Sequence, residues 1–445
     1  MIDVKRIEEV MNAAIGHSKA DQLEVLASAR ETALTRFSNN HIHQNVTETN
    51  MGISIRAIVG KRLGYASTNR LDEKSVKAMV EKATEIAAHR PPDDQFTSLP
   101  SPKPIVKHDL TAASTIGCTP ERRALDIKRV IALAEKEDLT AAGAHSTGYT
   151  IIGVANTLGI SATTVVSEAS LRTVMMSETS SGYASAIAVD VDNIDIEKTA
   201  SEAATKARRS TNPIDVAPGP YAVILEPEAV ADMISFMAFA GFGALSLQEG
   251  RSFMKDRFGQ MIASPLISVW DDAFDPHTIG LPFDFEGVPK QRVAFIENGI
   301  AKNVCYDTYT ANKEGKESTG HGLPAPNVHG PLPLNLVVGA GESSIDEMIK
   351  SSERSILVTR FHYTNLEDPI KTTFTGMTRD GTFLVENGEV KTAIKNLRFT
   401  QGILDALNKV ESISRERVLK DAFLGAIYVP ALKIGEFHFT GATQF

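Results

Sequence analysis

Apolar residues recur at helical spacing at Ile7, Val10, Met11, Ala14 and Ile15, which predicts a first helix. Strand-like stretches follow at Leu23–Ala27, Thr32–Phe37, His41–Val46 and Gly52–Val59, with a polar turn at Asn39-Asn40. Gly64-Tyr65-Ala66-Ser67 then leads into a second helix carrying Val76, Met79, Val80, Ala83 and Ile86. The same order returns further on. A helix holds Leu125, Ile127, Val130, Ile131 and Ala134, and strands are expected over Thr150–Ala155, Gly159–Val166 and Ser170–Ser177. Gly182-Tyr183-Ala184-Ser185 repeats the earlier tetrapeptide and is again followed by a helix, with Ile196, Ala200, Ala203, Ala204 and Ala207. The shared register predicts a duplicated helix–strands–helix unit, residues 1–90 and 121–210. Between the copies, residues 91–120 are dense in proline, which disfavours both helix and central strand, and are read as a linker.

The remaining residues, 218–445, form one further domain on this reading. It opens with a buried strand at Tyr221–Leu225, after which Pro227 suits the first turn of a helix. From Ala229 to Leu247 the only charge is Asp232, so a central helix over 227–249 is apolar on every side. Its small residues and acidic start point to a helix buried in a large core rather than a membrane span. The Phe239–Leu245 end is expected near a subunit interface or cavity wall. Short apolar runs follow at Leu266–Trp270, Arg292–Ile296, Leu334–Val338, Ile356–Phe361, Thr382–Glu386 and Gly425–Val429. Asn298-Gly299 and Asn387-Gly388 signal hairpins. Only two short helices are predicted among these runs, Ile345–Ser351 and Ile403–Val410. The expected class is therefore α+β: the duplicated N-terminal half, then a β-rich domain built as an antiparallel sheet or partly closed barrel.

Composition narrows the function. The 445 residues carry a net charge of −9, which weighs against direct nucleic-acid binding, since phosphate contacts need clustered Lys and Arg. Cys118 and Cys305 are the only cysteines, so neither a disulfide framework nor a Cys-x-x-Cys metal knuckle is present. The N-terminus reads as an amphipathic helix rather than a signal peptide, and a cytoplasmic location is the expectation.

None of the eleven histidines is followed by Glu. His41 and His43 share a strand face and read as solvated; His321 and His329 flank a Gly/Pro loop. The segment 271–286 concentrates Asp271, Asp272, Asp275, Asp284 and Glu286. Paired carboxylates can divide acid and base roles if burial splits their pKa values, although turn chemistry accounts for the same residues. Gly339-Ala340-Gly341-Glu342-Ser343-Ser344 lacks the Lys of a P-loop, and Ser343 is placed to cap the helix that follows. The cleft candidates are therefore Asp271, Asp272, Asp284, Glu286 and His321, with Arg379 as a further candidate for binding a carboxylate.

Several stretches, short singly but specific in order, resemble the TldD/PmbA family. They are Gly64-Tyr65-Ala66-Ser67, Pro218-Gly219-Pro220-Tyr221 through Leu225-Glu226-Pro227, Gly250-Arg251-Ser252-Phe253, Asp271-Asp272, Phe283 through Pro289, Ser318-Thr319-Gly320 and Asn335-Leu336. Members are named for modulation of DNA gyrase or for peptidase activity. The resemblance implies an N-terminal α/β half, a β-rich C-terminal half and a dimer enclosing a cavity. In the zinc-bearing branch the helix after the Leu-x-Pro strand carries His-Glu-x-x-x-His, and a late Cys completes the site. Here Ile234–Leu245 holds neither His nor Glu, and no Cys follows Cys305. The resemblance is thus to the TldE/PmbA-like branch. It implies no zinc or other cofactor in this chain, zinc only in a TldD-like partner, and a homo- or heterodimer acting on short or unstructured peptides. The alternatives are a stand-alone hydrolase of the same fold and a non-catalytic regulator of the gyrase-modulator type.

Overall fold

The computed structural model describes residues 3–443 of the chain. The first 210 residues build one antiparallel sheet of six strands. Its two central strands, β1 (Gln22–Ser38) and β4 (Thr140–Asn156), lie side by side; β2 (His41–Val59) and β3 (Arg62–Thr68) extend it on one side, β5 (Ser161–Met176) and β6 (Ser181–Ala188) on the other. Each trio is preceded and followed by a helix: Val4–Gly16 and Glu73–His89 in the first, Pro120–Lys136 and Ile196–Arg209 in the second. The helices bury separate cores, the first around Ile7, Val25, Ile55 and Val80, the second around Ile127, Leu171, Ala184 and Ala203.

The repeated tetrapeptide marks the same geometry in each half. A side chain at Gly64 would meet the backbone of Ala83 and Ala87 at 2.0 and 2.4 Å; at Gly182 it would meet that of Ala203 and Ala207 at 2.2 and 2.3 Å. In both halves glycine lets the third strand and the closing helix touch backbone to backbone.

The strands are longer than their hydrophobic runs. Leu23–Ala27 and Thr32–Phe37 merge into β1, His41–Val46 and Gly52–Val59 into β2, and Gly159–Val166 and Ser170–Ser177 into β5. The polar stretches between those runs stay in the ladder because a neighbouring strand pairs with them throughout. Ladder hydrogen bonds need no apolar side chain. Asn39 and Asn40, both at positive φ, make the turn between β1 and β2. The proline-rich segment after His89 runs irregularly over this sheet. Phe96 and Leu99 bury against Ile58, and a short helix, Ala113–Ile116, follows.

The C-terminal half forms an 11-stranded sheet. Five of its strands close on themselves: β7 (Gly219–Leu225) pairs with Arg354–Asp368, which pairs in turn with Thr373–Glu386, Leu397–Gly402 and Gly425–Ala442, and the last returns to β7. Phe361, Phe374, Phe399 and Phe437 pack together in this core with ring centroids 4.5–6.4 Å apart. Two of the strands were signalled neither by a hydrophobic run nor by a hairpin turn, Leu397–Gly402 and Val410–Ala422. The first is strictly alternating, with Leu397, Phe399 and Gln401 buried; the second is charged along its length. The Asn-Gly pairs turn at positive φ as predicted.

The central helix is Pro227–Gly241, shorter than the expected 227–249. Beyond Phe242 the chain hooks onto Cys305, whose N–H donates to the Phe242 carbonyl while Ala244 N–H donates to the Cys305 carbonyl. That bridge takes the groups a continuing helix would need, and two glycines make propagation costly. A separate turn, Ala244–Gln248, follows. Another unexpected helix, Thr308–Lys313, opens on an Asp307–Thr310 capping box. The helix after the glycine-rich loop is capped by Ser344 rather than Ser343. No helix among the described residues is long and apolar enough to cross a membrane.

Candidate functional site

Three of the sequence candidates meet at one place. Asp271 ends a short strand, Val269–Asp271, that pairs with Leu336–Val338. One of its oxygens accepts the Asn335 N–H at 2.7 Å and the other faces His321 Nε2 at 3.0 Å. Both residues are fully enclosed, Asp271 at 0 % and His321 at 1 % exposure. The other ring nitrogen, Nδ1, lies 2.9 Å from the hydroxyl and 2.9 Å from the carbonyl of Thr319.

Burial works against a charge on Asp271. The ammonium of Lys290, His321 and the Asn335 N–H outweigh it and hold the carboxyl down at about 2. Burial, with Lys290 beside it, lowers the His321 pKa against the opposing pull of Asp271 and the Thr319 carbonyl. Nε2–H donates to Asp271 and Nδ1 sits against both the hydroxyl and the carbonyl oxygen of Thr319, so each ring nitrogen is engaged inside the protein. Neither nitrogen is then left to take a substrate proton or a metal ion. His321 is a brace between the Ser318–Gly320 loop and the Asp271 strand.

Asp284 approaches from a tight turn closed by Gly287 at φ +77°. Its Oδ1 accepts from Glu286 and Val288 N–H, both at 2.9 Å, and its Oδ2 from Gly322 N–H at 2.7 Å. Those three donors favour the ionised form. Burial and the neighbouring Glu286 prevail and push the group up to about 8. Asp284 and His321 line a cavity of about 200 Å³ together with Lys290, Asn335, Glu168, Phe283 and Leu334, and Asp271 is joined to it through His321.

Glu286 points elsewhere. One of its oxygens meets Arg56 of β2 at 3.1 Å and the other accepts Thr308 N–H at 2.8 Å, while the same guanidinium nitrogen binds Glu24 of β1. This buried triad ties the N-terminal sheet to the C-terminal half. Asp272 accepts the Phe274 N–H at 3.0 Å, an Asx turn, and lies 3.7 Å from Arg292. Arg379 is not brought to the cluster: it faces Asp380 at 3.9 Å and lines a separate cavity with Ser180, Asn212 and Lys395.

His41 and His43 lie exposed on β2, and His329 packs its ring 5.6 Å from Phe239. Among the described residues no group of three or more His, Cys, Asp or Glu side chains is arranged to hold a metal ion. Cys305 is buried with its thiol against the Phe242 carbonyl, and burial pushes its pKa up. Zinc therefore does not fit the residues present on the central helix. Ser235 accepts the Leu424 N–H at 2.9 Å, and Phe236 stacks on Phe423 at 5.4 Å.

Lys290, Thr319, Asn335 and Arg56 belong to this region but were not singled out for it. The first had a signal, as the first Lys or Arg after the acidic run 271–286. Arg56 had none, because its partners lie on other elements.

A model of the C-terminal domain of PmbA/TldA metallopeptidases matches residues 218–441, and one of domain 1 of the same proteins matches residues 23–87. A PmbA homolog described as a metalloprotease in Haemophilus influenzae is 24 % identical over 440 residues, 92 % of each chain. A metalloprotease TldD homolog of Buchnera aphidicola is 30 % identical over 174 residues, which is 37 % of this chain and 35 % of that one. The crystal structure of TldE from Thermococcus kodakarensis shares the fold, with a TM-score of 0.89 at 24 % identity across 98 % of this chain and 100 % of that chain. On the match of the C-terminal domain, which spans half its length, the chain belongs to the PmbA/TldD family.

Proposed function

We propose that this chain is a TldE/PmbA-like subunit that lacks a zinc site and completes a peptidase for short or unstructured peptides together with a TldD-like, zinc-bearing partner. The observation that carries the reading is the central helix. On the element where the zinc-bearing branch is expected to place its ligands, this chain presents Ser235, Phe236 and Phe239, and Phe423 closes over them. The partner contact is supported by the same end of the molecule, where Phe423 is 58 % and Val328 78 % exposed. Exposed apolar groups that adjoin a core mark interaction surfaces. The stand-alone hydrolase is disfavoured because His321 has both ring nitrogens engaged inside the protein.

The test is co-expression with a TldD-like chain from the same genome, followed by sedimentation, metal analysis and cleavage of an unstructured peptide. The expected result is a heteromer carrying zinc and cleaving the peptide, while this chain alone binds no stoichiometric zinc and cleaves nothing. Peptide hydrolysis by this chain alone, or a pair that fails to associate at micromolar concentration, refutes the proposal.

A further inference from the structure

Lys290 is 8 % exposed and lines the cavity beside Asp284 and His321. Its ammonium makes no hydrogen bond and no ion pair with any described residue. Burying an ammonium costs several kcal/mol, which a buried lysine ordinarily recovers by direct pairing. The nearby carboxylates do not provide that pairing. Asp271 is bonded to His321 and Asn335, and Asp284 turns its oxygens to the N–H groups of Glu286, Val288 and Gly322. Both stay close enough for the Lys290 charge to lower their pKa values without bonding it.

The rest of the wall is mainly apolar, with Ile279, Leu281, Phe283, Phe285 and Leu334, and Glu168 of β5 is its other carboxylate besides Asp284. At about 200 Å³ the space lies below the roughly 300–1,000 Å³ of a drug-sized pocket and suits one residue. Burial and Glu286 raise the Asp284 pKa, which favours its neutral form and lessens its repulsion of an anion.

From the unpaired ammonium and the apolar cavity before it, we propose that this is a binding site for a carboxylate borne on a single apolar residue, with Lys290 as the carboxylate's partner. The chemistry is shared by a free apolar amino acid and by the C-terminal residue of a peptide. The site does not depend on the subunit reading above, because every group in it belongs to this chain.

The test is calorimetric titration and thermal melting of the full chain at pH 7 in a buffer without carboxylates. The probes are L-leucine, N-acetyl-L-leucine, the tripeptide Ala-Ala-Leu and its C-terminal amide. The amide should bind at least tenfold more weakly than the acid of the same tripeptide. Binding of leucine alone assigns the site to free amino acids; binding of N-acetyl-leucine and the tripeptide assigns it to a peptide terminus. Lys290→Met should lose that binding at least tenfold, with at most a modest fall in melting temperature, since it removes an unpaired buried charge but also the charge that favours ionised Asp271. No binding by any of the three carboxylates at 10 mM, or equal binding of acid and amide, overturns the proposal. So does a Lys290→Met chain that melts well below wild type while still binding, because Lys290 would then be a structural residue.

Discussion

Replacing Asp271 by Asn tests whether the Asp271–His321 pair braces the loops around the cavity. The carboxyl is held at about 2 against an ordinary 3.8. At about 1.4 kcal/mol per pKa unit, the native fold gains about 2–3 kcal/mol from ionised Asp271. The sign follows from the depressed value: the contribution is complete above pH 4 and is lost as pH falls through about 2. The Asp271→Asn side chain would keep the shape but not the charge, and its amide would set N–H against the N–H of either His321 or Asn335. Urea unfolding at pH 7 should therefore show a loss of about 2–3 kcal/mol. The gap to wild type should be the same at pH 5 and narrow below pH 4. Combining it with His321→Gln should cost less than the two single losses together, because the residues share one bond. A loss under about 0.5 kcal/mol at pH 7, or a gap that already changes between pH 7 and pH 5, would refute the reasoning.

Asp232 shows the opposite sign. Burial, helped by Glu228 and opposed by Thr364 and Arg360, pushes it up to about 6. Stability should thus fall as pH rises from about 4 to 6, and Asp232→Asn should gain about 1–3 kcal/mol at pH 7 and flatten that slope in melts between pH 4.5 and 7. An Asp232→Asn chain that is no more stable at pH 7 would contradict it. Gly64→Ala and Gly182→Ala should each cost about 1–3 kcal/mol, because the new methyl meets backbone on the facing helix and not a movable side chain. Denaturant midpoints decide this, and a loss at one position but not the other would show that the two contacts are not energetically equivalent.

What was legible in the sequence is what depends on local spacing. Four N-terminal helices, the Asn-Gly turns and the glycine tetrapeptides are short-range signals, and each stands in the structure as a short-range contact. Strand length was not legible. Ser28–Glu31 is polar, and only the presence of β2 on one side and β4 on the other keeps it in a ladder. The end of the central helix was hidden for the same reason, since Cys305, far away in sequence, takes the backbone groups of Phe242 and Ala244. At the cavity the sequence offered an acidic run and a histidine. It could not separate them: Asp272 serves its own turn, Glu286 an inter-domain bridge to Arg56, Asp271 holds His321, and Asp284 lines the cavity with His321. The identity of a carboxylate's partner is a tertiary fact.

The central helix carries this point furthest, because a missing motif does not say what stands in its place. Absent imidazoles could have left an open, polar groove into which ligands could be restored one at a time. The structure has another arrangement. Phe236 lies 5.4 Å from Phe423 with the rings 4° from parallel, and Phe239 stands at 84° to the same ring, also at 5.4 Å. Ser235 accepts the N–H of Leu424, which fixes the turn that carries Phe423 onto the helix. The turn therefore docks through both a stacked aromatic pair and a buried hydrogen bond. A carboxylate or imidazole at Phe236 would lose the stacking and face the apolar Phe423 ring. The helix and the last hairpin are thus mutually adapted to an apolar contact.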